Sequence, residues 1–243
     1  WGTPKWADST SRPKVVCEAS TYETTPLGGA EWLKFFAPFF GINAAEAYCA
    51  VSGRYSCNSI ASSSITSNAA ALGLEAYAYR VPKVLFASLD WNGDYTINMA
   101  PYWNSMLYDA GGDYPNLDAF AAYKTTHYTG SHVSGFKFPP AENTTFHAVL
   151  ALADVIIDQT YPFGQTTTSL QTAYGFGPTS TLPNAFLNAR VYTIDGTMDS
   201  TGAPYGGTDW FGSRVAEPDT LLADFAAVLH PSASDAQPDL HYL

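Results

Sequence analysis

Two tryptophans in this chain each follow an aspartate, Asp90-Trp91 in a polar stretch running to Tyr95, and Asp209-Trp210 after a Gly-, Ser- and Thr-rich segment. Two carboxylates flanking a bound sugar are the equipment of glycoside hydrolysis, one protonating the leaving oxygen while the other acts as base or nucleophile. The same flat rings can hold a macrocycle, a catecholate or a sugar by stacking, with no reaction following. A carbohydrate-active enzyme using Asp90 and Asp209 is thus one reading, and simple binding is the other. The sequence contains no G-x-S-x-G elbow, Walker A segment or G-x-G-x-x-G turn. His127 and His132 lie five apart with no third ligand near, His147 falls on an apolar segment, and His230 and His241 sit near the end. None of this matches zinc spacing, so no metal site is expected. Asp90 to Asp94 has the acidic spacing of a calcium loop, but its glycine is misplaced and no Glu stands at the twelfth position, so it is not an EF-hand. No cofactor is expected.

Cys17, Cys49 and Cys57 cannot all pair within one chain. On a shared helix Cys49 and Cys57 would be roughly 12 Å apart along its axis, beyond disulfide reach. One of them pairing with Cys17, and buried thiols acting as small hydrophobes, both fit.

With 46% hydrophobic and only 14% charged residues, the 243-residue chain has the composition of a globular protein with a sizeable core. A net charge of −11 repels phosphate backbones, so nucleic acid is not an expected partner. No run of about 18 apolar residues is present to form a transmembrane segment. Asn143-Thr144-Thr145 is the only N-x-S/T sequon and marks Asn143 as a candidate glycosylation site. With sparse lysine and abundant Thr, Ser, Gly and Tyr, it favours an extracytoplasmic location, secreted, cell-surface or periplasm-like, and the chain begins at Trp1 as a processed or a partial protein would.

Lys14 to Ala19 reads as a short strand feeding a polar turn, and Ala30 to Phe36 as a helix ended near Pro38 and Gly41. Asn43, with Glu46 three residues on, opens a second helix that runs on through the Ser-rich stretch to Ser67. Arg80-Val81-Pro82 breaks the pattern before the buried strand Lys83 to Ala87. A helix over Ala100 to Ala110 follows, closed by Gly111-Gly112, then a short helix over Leu117 to Tyr123. Phe146 to Ala153 reads as an apolar helix and Asp154 to Asp158 as a strand ending in a polar, aromatic loop, Gln159 to Gly164. A strand at Val191 to Ile194 stops at Asp195-Gly196, and Thr197 to Thr208 is an exposed loop. Beyond Glu217-Pro218-Asp219, Leu221, Leu222, Phe225, Val228 and Leu229 fall at helical spacing until His230-Pro231. Strands alternating with helices predict an α/β fold with mostly parallel pairing and functional loops at the strands' carboxyl ends.

The order of these elements resembles the substrate-binding proteins of iron-siderophore and cobalamin uptake. The matching stretches are Glu23 to Leu27 with Glu31 to Lys34, Asn43 to about Tyr77, Pro82 to Phe86, Leu107 to Gly112, Ala153 to Asp158, and Trp210 to Arg214 with Pro218, Asp219, Leu222, Asp224 and His230-Pro231. The resemblance implies two Rossmann-like lobes joined by a long helix, with the first lobe incomplete in these residues and a mostly parallel sheet in the second. It divides the chain into a remainder of the first lobe (1–42), a connecting helix (43–80), a second α/β lobe (81–216) and a closing helix with tail (217–243).

It also implies a non-enzymatic protein that captures a small-molecule or metal-chelate ligand, an iron-siderophore, a cobalamin or a metal, in a cleft between lobes. A membrane transporter or receptor would then receive it. The loops facing such a cleft supply Tyr22, Glu23, Asp90, Trp91, Tyr95, Tyr161, Tyr205, Asp209 and Trp210. The bland alternative is that the two tryptophans pack beneath their loops and the acids cap helices. A structural or attachment subunit meeting a partner chain in a larger extracellular or membrane-associated assembly is the remaining reading.

Overall fold

A computed structural model describes residues 23–37, 41–71, 81–127, 133–160, 166–197, 216–231 and 240–243. Two short helices come first, α1 (Pro26–Ala30) and α2 (Trp32–Phe36), followed by the long α3 (Ala44–Ala71). The sheet strands are β1 (Val84–Leu89), β2 (Tyr95–Met99), β3 (Lys124–His127), β4 (Val133–Phe138), β5 (Val155–Asp158) and β6 (Val191–Thr193). Between and after them lie α4 (Pro101–Asp109), α5 (Asn143–Leu150), α6 (Thr167–Ala173), α7 (Asn184–Leu187) and the closing α8 (Pro218–Leu229). The predicted strand over Lys14 to Ala19, with Cys17, lies outside the described residues.

The strand order is β3-β4-β2-β1-β5-β6. The expectation of a mostly parallel sheet is corrected: β1/β5 and β5/β6 are parallel, while β1/β2, β2/β4 and β4/β3 are antiparallel. The difference originates at Asp90 to Asp94, read from sequence as a loop leading to a crossover. Asp90 N donates to Asp94 O (2.9 Å), Gly93 adopts φ 81°, and the chain turns straight back into β2. Tyr95 is accordingly the first residue of β2, paired with Leu89. β4 then approaches β2 so closely that a Cβ on Gly135 would lie 2.5 Å from the Ile97 carbonyl oxygen.

Helices cover both faces. Val84, Phe86, Val155 and Ile157 project to one side, against Trp103, Met106 and Leu107 of α4 and Leu221, Leu222, Phe225, Val228 and Leu229 of α8. Leu85, Ala87, Ile97, Phe136, Phe138 and Ile156 project to the other, against Phe146, Val149 and Leu150 of α5 and Leu170 of α6. β1 from Val84 to Ala87 is entirely buried, which is why its sequence is continuously apolar instead of alternating.

The capping predicted for α3 is present: Asn43 Oδ1 accepts from the backbone N–H of Ala45 (3.1 Å) and of Glu46 (3.3 Å). Its inner face meets α8 and α4 through polar contacts. Arg54 pairs with the buried Asp219, Asn58 Nδ2 donates to Asp219 O (3.1 Å), and Tyr55 OH donates to Asp109 Oδ2 (2.6 Å). Cys49 and Cys57 share this helix as exposed free thiols, which corrects the reading of buried ones. No helix among the described residues is long and apolar enough to cross a membrane.

Candidate functional site

Because β1, β5 and β6 run parallel, their carboxyl ends at Leu89, Asp158 and Thr193 lie side by side. In open α/β sheets this is where ligands are held, since the loops there are free to diverge. The β1/β2 hairpin rises from the same end and carries Asp90, Trp91 and Asp94.

The hairpin is built by its own side chains. Asp90 Oδ1 accepts from the backbone N–H of Asn92 (2.8 Å) and Asp94 (3.0 Å), the short-range bonding that makes Asp a turn former. Asp90 Oδ2 and Asp94 Oδ2 each lie 2.8 Å from Lys137 Nζ, reaching across from β4. Partial burial pushes the Asp90 carboxyl up, but Lys137 and the two backbone donors outweigh it and leave the carboxyl below its ordinary range. The same two carboxylates raise the Lys137 ammonium. Between these clamped neighbours Trp91 is 87% exposed, the most exposed large hydrophobic side chain among the described residues.

Behind the hairpin lies a buried network. Asp158, 2% exposed, accepts from Thr160 Oγ1 (2.6 Å), Thr160 N (3.1 Å) and Tyr174 OH. Thr160 Oγ1 in turn accepts from Leu89 N (3.0 Å), tying the ends of β5 and β1 together. Burial pushes the Asp158 carboxyl above the usual carboxylate range despite those donors, and the nearby charge of Asp195 adds to the effect. Alongside, Asn98 Nδ2 donates to Gln159 Oε1 (3.2 Å). At β6, Thr193 Oγ1 donates to Asp195, and the segment beyond is held by the last residues of the chain, with Gly196 N donating to Tyr242 O (3.2 Å). Asp224 anchors those residues by accepting from Tyr242 N (2.6 Å) and His241 N.

Of the residues named from sequence, Asp90 and Trp91 are thus brought to the carboxyl end of the sheet. Tyr95 is not presented there: it is 7% exposed and its ring stacks on Phe146 at 4.5 Å between centroids. Glu23 accepts from Trp32 Nε1 (3.2 Å) at the start of α1. Tyr22, Tyr161, Tyr205, Asp209 and Trp210 lie outside the described residues, so the carboxylate pair Asp90 and Asp209 is not brought to a measured separation. Asn143 is the first residue of α5, with its Nδ2 3.4 Å from where a Gly175 Cβ would stand.

Lys137, Asp158 and Thr160 were missed by sequence reasoning. Lys137 sits on a strand that was not foreseen, while an Asp followed two residues later by Thr at a strand end is a local bonding pattern open to sequence reading. His147 stacks on Phe176 at 3.9 Å, and the ring of buried His230 lies 3.0 Å from Ala110 O. Among the described residues no three His, Cys, Asp or Glu side chains gather closely enough to hold a metal ion.

No protein-family model matches the chain, and no curated protein matches it. Three solved structures are similar. An ABC transporter substrate-binding protein from Listeria monocytogenes shares 14% identity over 85% of this chain and 65% of that one, with a TM-score of 0.45. The iron uptake ABC transporter substrate-binding protein PiaA from Streptococcus pneumoniae shares 17% identity over 85% of this chain and 61% of that one, with a TM-score of 0.42. The periplasmic heme-binding protein RhuT from Roseiflexus shares 16% identity over 84% of this chain and 65% of that one, with a TM-score of 0.44. The chain therefore spans less than two thirds of the length of each of these proteins.

Proposed function

We propose that this chain is an extracytoplasmic solute-binding protein. It takes a small chelated nutrient, an iron-siderophore, a cobalamin or another metal chelate, at the carboxyl end of the sheet, and passes it to a transporter or receptor in a membrane. The observation that carries the reading is Trp91, an exposed indole on a hairpin clamped by Asp90, Asp94 and Lys137, beside the carboxyl ends of three parallel strands. A stacking surface needs a ring whose backbone does not move when ligand arrives, because preorganisation reduces the entropy lost on binding. The hydrogen bonds from Asp90 and the network around Asp158 supply that rigidity. The segments that follow Thr160 and Thr197 in sequence carry Tyr161, Tyr205, Asp209 and Trp210, which complete the ligand-facing set in this reading, with Tyr22 and Glu23 from the first lobe. α3 is then the connector between lobes, and residues 1–42 the remainder of the first.

The test is titration of the full chain with hemin, cyanocobalamin and a ferric hydroxamate siderophore, followed by tryptophan fluorescence and native mass spectrometry. Saturable one-to-one binding of one chelate is expected, weakened about ten-fold or more in Trp91→Ala at unchanged melting temperature, as for an aromatic anchor. Failure of all three chelates to bind, or full affinity in Trp91→Ala, would overturn the reading.

A further inference from the structure

Cys49 and Cys57 are free thiols, both exposed, on the solvent side of α3. The proposed ligand site uses neither. They stand four residues to either side of Gly53, so each lies about 6 Å from it along the helix axis and about 40° from it around the axis. Gly53 is exposed as well, and a Cβ built on it would meet nothing within 4 Å. Ala45 and Ala61, one further step of four residues on each side, are small and exposed too. The opposite side of the helix is taken up by the fold: Val51, Tyr55 and Ser62 are buried there, and Asn58 reaches Asp219 of α8. The middle of α3 thus presents an open face bearing two thiols.

Their placement selects the occupant. When two helices pack antiparallel, a residue before the point of closest approach on one faces a residue the same distance after it on the other. A second copy of α3, centred on Gly53 and running the other way, sets Cys49 against Cys57 twice, once on each side of the two-fold axis. A different protein would need two thiols at the same eight-residue spacing. A parallel copy also matches thiol to thiol, but it aligns the two helix dipoles and sets exposed Glu46, on the same face, against its own counterpart. The antiparallel copy sets Glu46 against the uncharged Ile60. Packed helices lie about 8–10 Å apart axis to axis, with Cα atoms about 2.3 Å off each axis. Facing Cα atoms are then on the order of 3.4–5.4 Å apart on the contact line and somewhat farther to its sides, against the roughly 4.4–6.8 Å that a disulfide bridges.

We infer that this face of α3 is the contact of a covalent, antiparallel dimer of this chain, closed by two Cys49–Cys57 disulfides. Each forms when two thiols give up two protons and two electrons to a disulfide oxidant such as oxidised glutathione, which leaves as two molecules of glutathione. Side chains this small bury little apolar area, so the reduced chain stays monomeric and the pair forms in an oxidising compartment. Capture of a chelate is a separate matter, since Trp91 lies on the β1/β2 hairpin and not on α3.

Oxidation of the Cys17→Ser chain, which retains just the two α3 thiols, with oxidised glutathione tests the inference by non-reducing intact-mass spectrometry and peptide mapping. A dimer four hydrogens lighter than two chains is expected, returned to monomer by dithiothreitol. Tryptic cleavage at Arg54 separates the two cysteines, so the map should show Cys49 peptides joined to Cys57 peptides. Cys49→Ser and Cys57→Ser should each lose the dimer, because like cysteines of the pair stand about 12 Å apart along the axis. A mixture of these two variants should recover a heterodimer with one disulfide. Gly53→Leu, which fills the centre of the contact, should lose the dimer as well. Both cysteines are exposed, so their variants should leave the melting temperature of the reduced chain unchanged. A monomer carrying only mixed glutathione disulfides, a Cys49–Cys49 or Cys57–Cys57 linkage, or a dimer in either single variant would overturn the inference.

Discussion

The parallel half of the sheet, β1, β5 and β6, and the antiparallel half, β2, β4 and β3, solve the same burial problem differently. β1 and β5 are covered by helices on both faces, and Val84 to Ala87 and Val155 to Asp158 are buried without interruption. The antiparallel half depends on closeness of backbone: Gly135 lets β4 lie against β2, and the hairpin holds its shape through Asp90 and Gly93. Stability in the first half therefore resides in side-chain volume, and in the second in local backbone geometry together with the buried Ile97, Phe136 and Phe138. The candidate site lies where they meet, with its exposed indole on the hairpin and its buried anchors on β5.

This contrast can be broken from either side. Phe225→Ala removes a fully buried ring set edge-on to Phe86 at 5.7 Å, and should lower stability by about 3–5 kcal/mol in urea unfolding, the cost typical of a large cavity in a packed core. Gly135→Ala puts a methyl where only a carbonyl oxygen fits and should cost about 1–3 kcal/mol, the range for forced overpacking. Equal effects of the two would remove the distinction between the halves.

pH sharpens the comparison further. Burial holds His230 below its ordinary pKa, so the folded protein resists protonation that the unfolded chain accepts. Stability from this group is complete above about pH 6.5 and is lost as pH falls toward the lowered folded value. Asp158 has the opposite sign. Its folded pKa is raised, so its contribution is greatest in acid and weakens as pH climbs through that value. His230→Gln should flatten the loss of melting temperature between pH 7 and pH 5, measured by calorimetry; an unchanged slope would show that His230 does not set it.

The smallest effect is expected at Lys137→Met. Its side chain is a third exposed, so release of Asp90 and Asp94 should cost about 0.2–1 kcal/mol, and less at high salt. A cost as large as that of Phe225→Ala would mean that the clamp supports the fold and not only the hairpin.

How much could be read in advance follows the same division. β1, β5, α4 and α8 were legible because continuous apolar runs and helical spacing are local signals, and Asn43 with Glu46 marked the start of α3. β2, β3, β4 and α6 were not. Tyr95 to Met99 alternates, and Asn92-Gly93 before it is a known hairpin signal, yet between the strand Lys83 to Ala87 and the helix at Ala100 the stretch reads as a connection. Thr125, Thr126, Ser134 and Gly135 give strands too polar to stand out from their turns. At the site, Asp90 and Trp91 were visible as residue types, while the placement of Tyr95 in the core depended on a strand not foreseen.

The amino-acid sequence by itself determined which segments must be buried and where helices start and stop, since hydrophobic spacing, capping residues and prolines act within a few positions of themselves. Only the tertiary structure decided the direction of strand pairing, the partnership of Lys137 with Asp90, and the closure of Tyr174 on Asp158. These depend on residues distant in sequence meeting in space, and one polar turn serves a hairpin or a crossover until the opposite strand has been chosen.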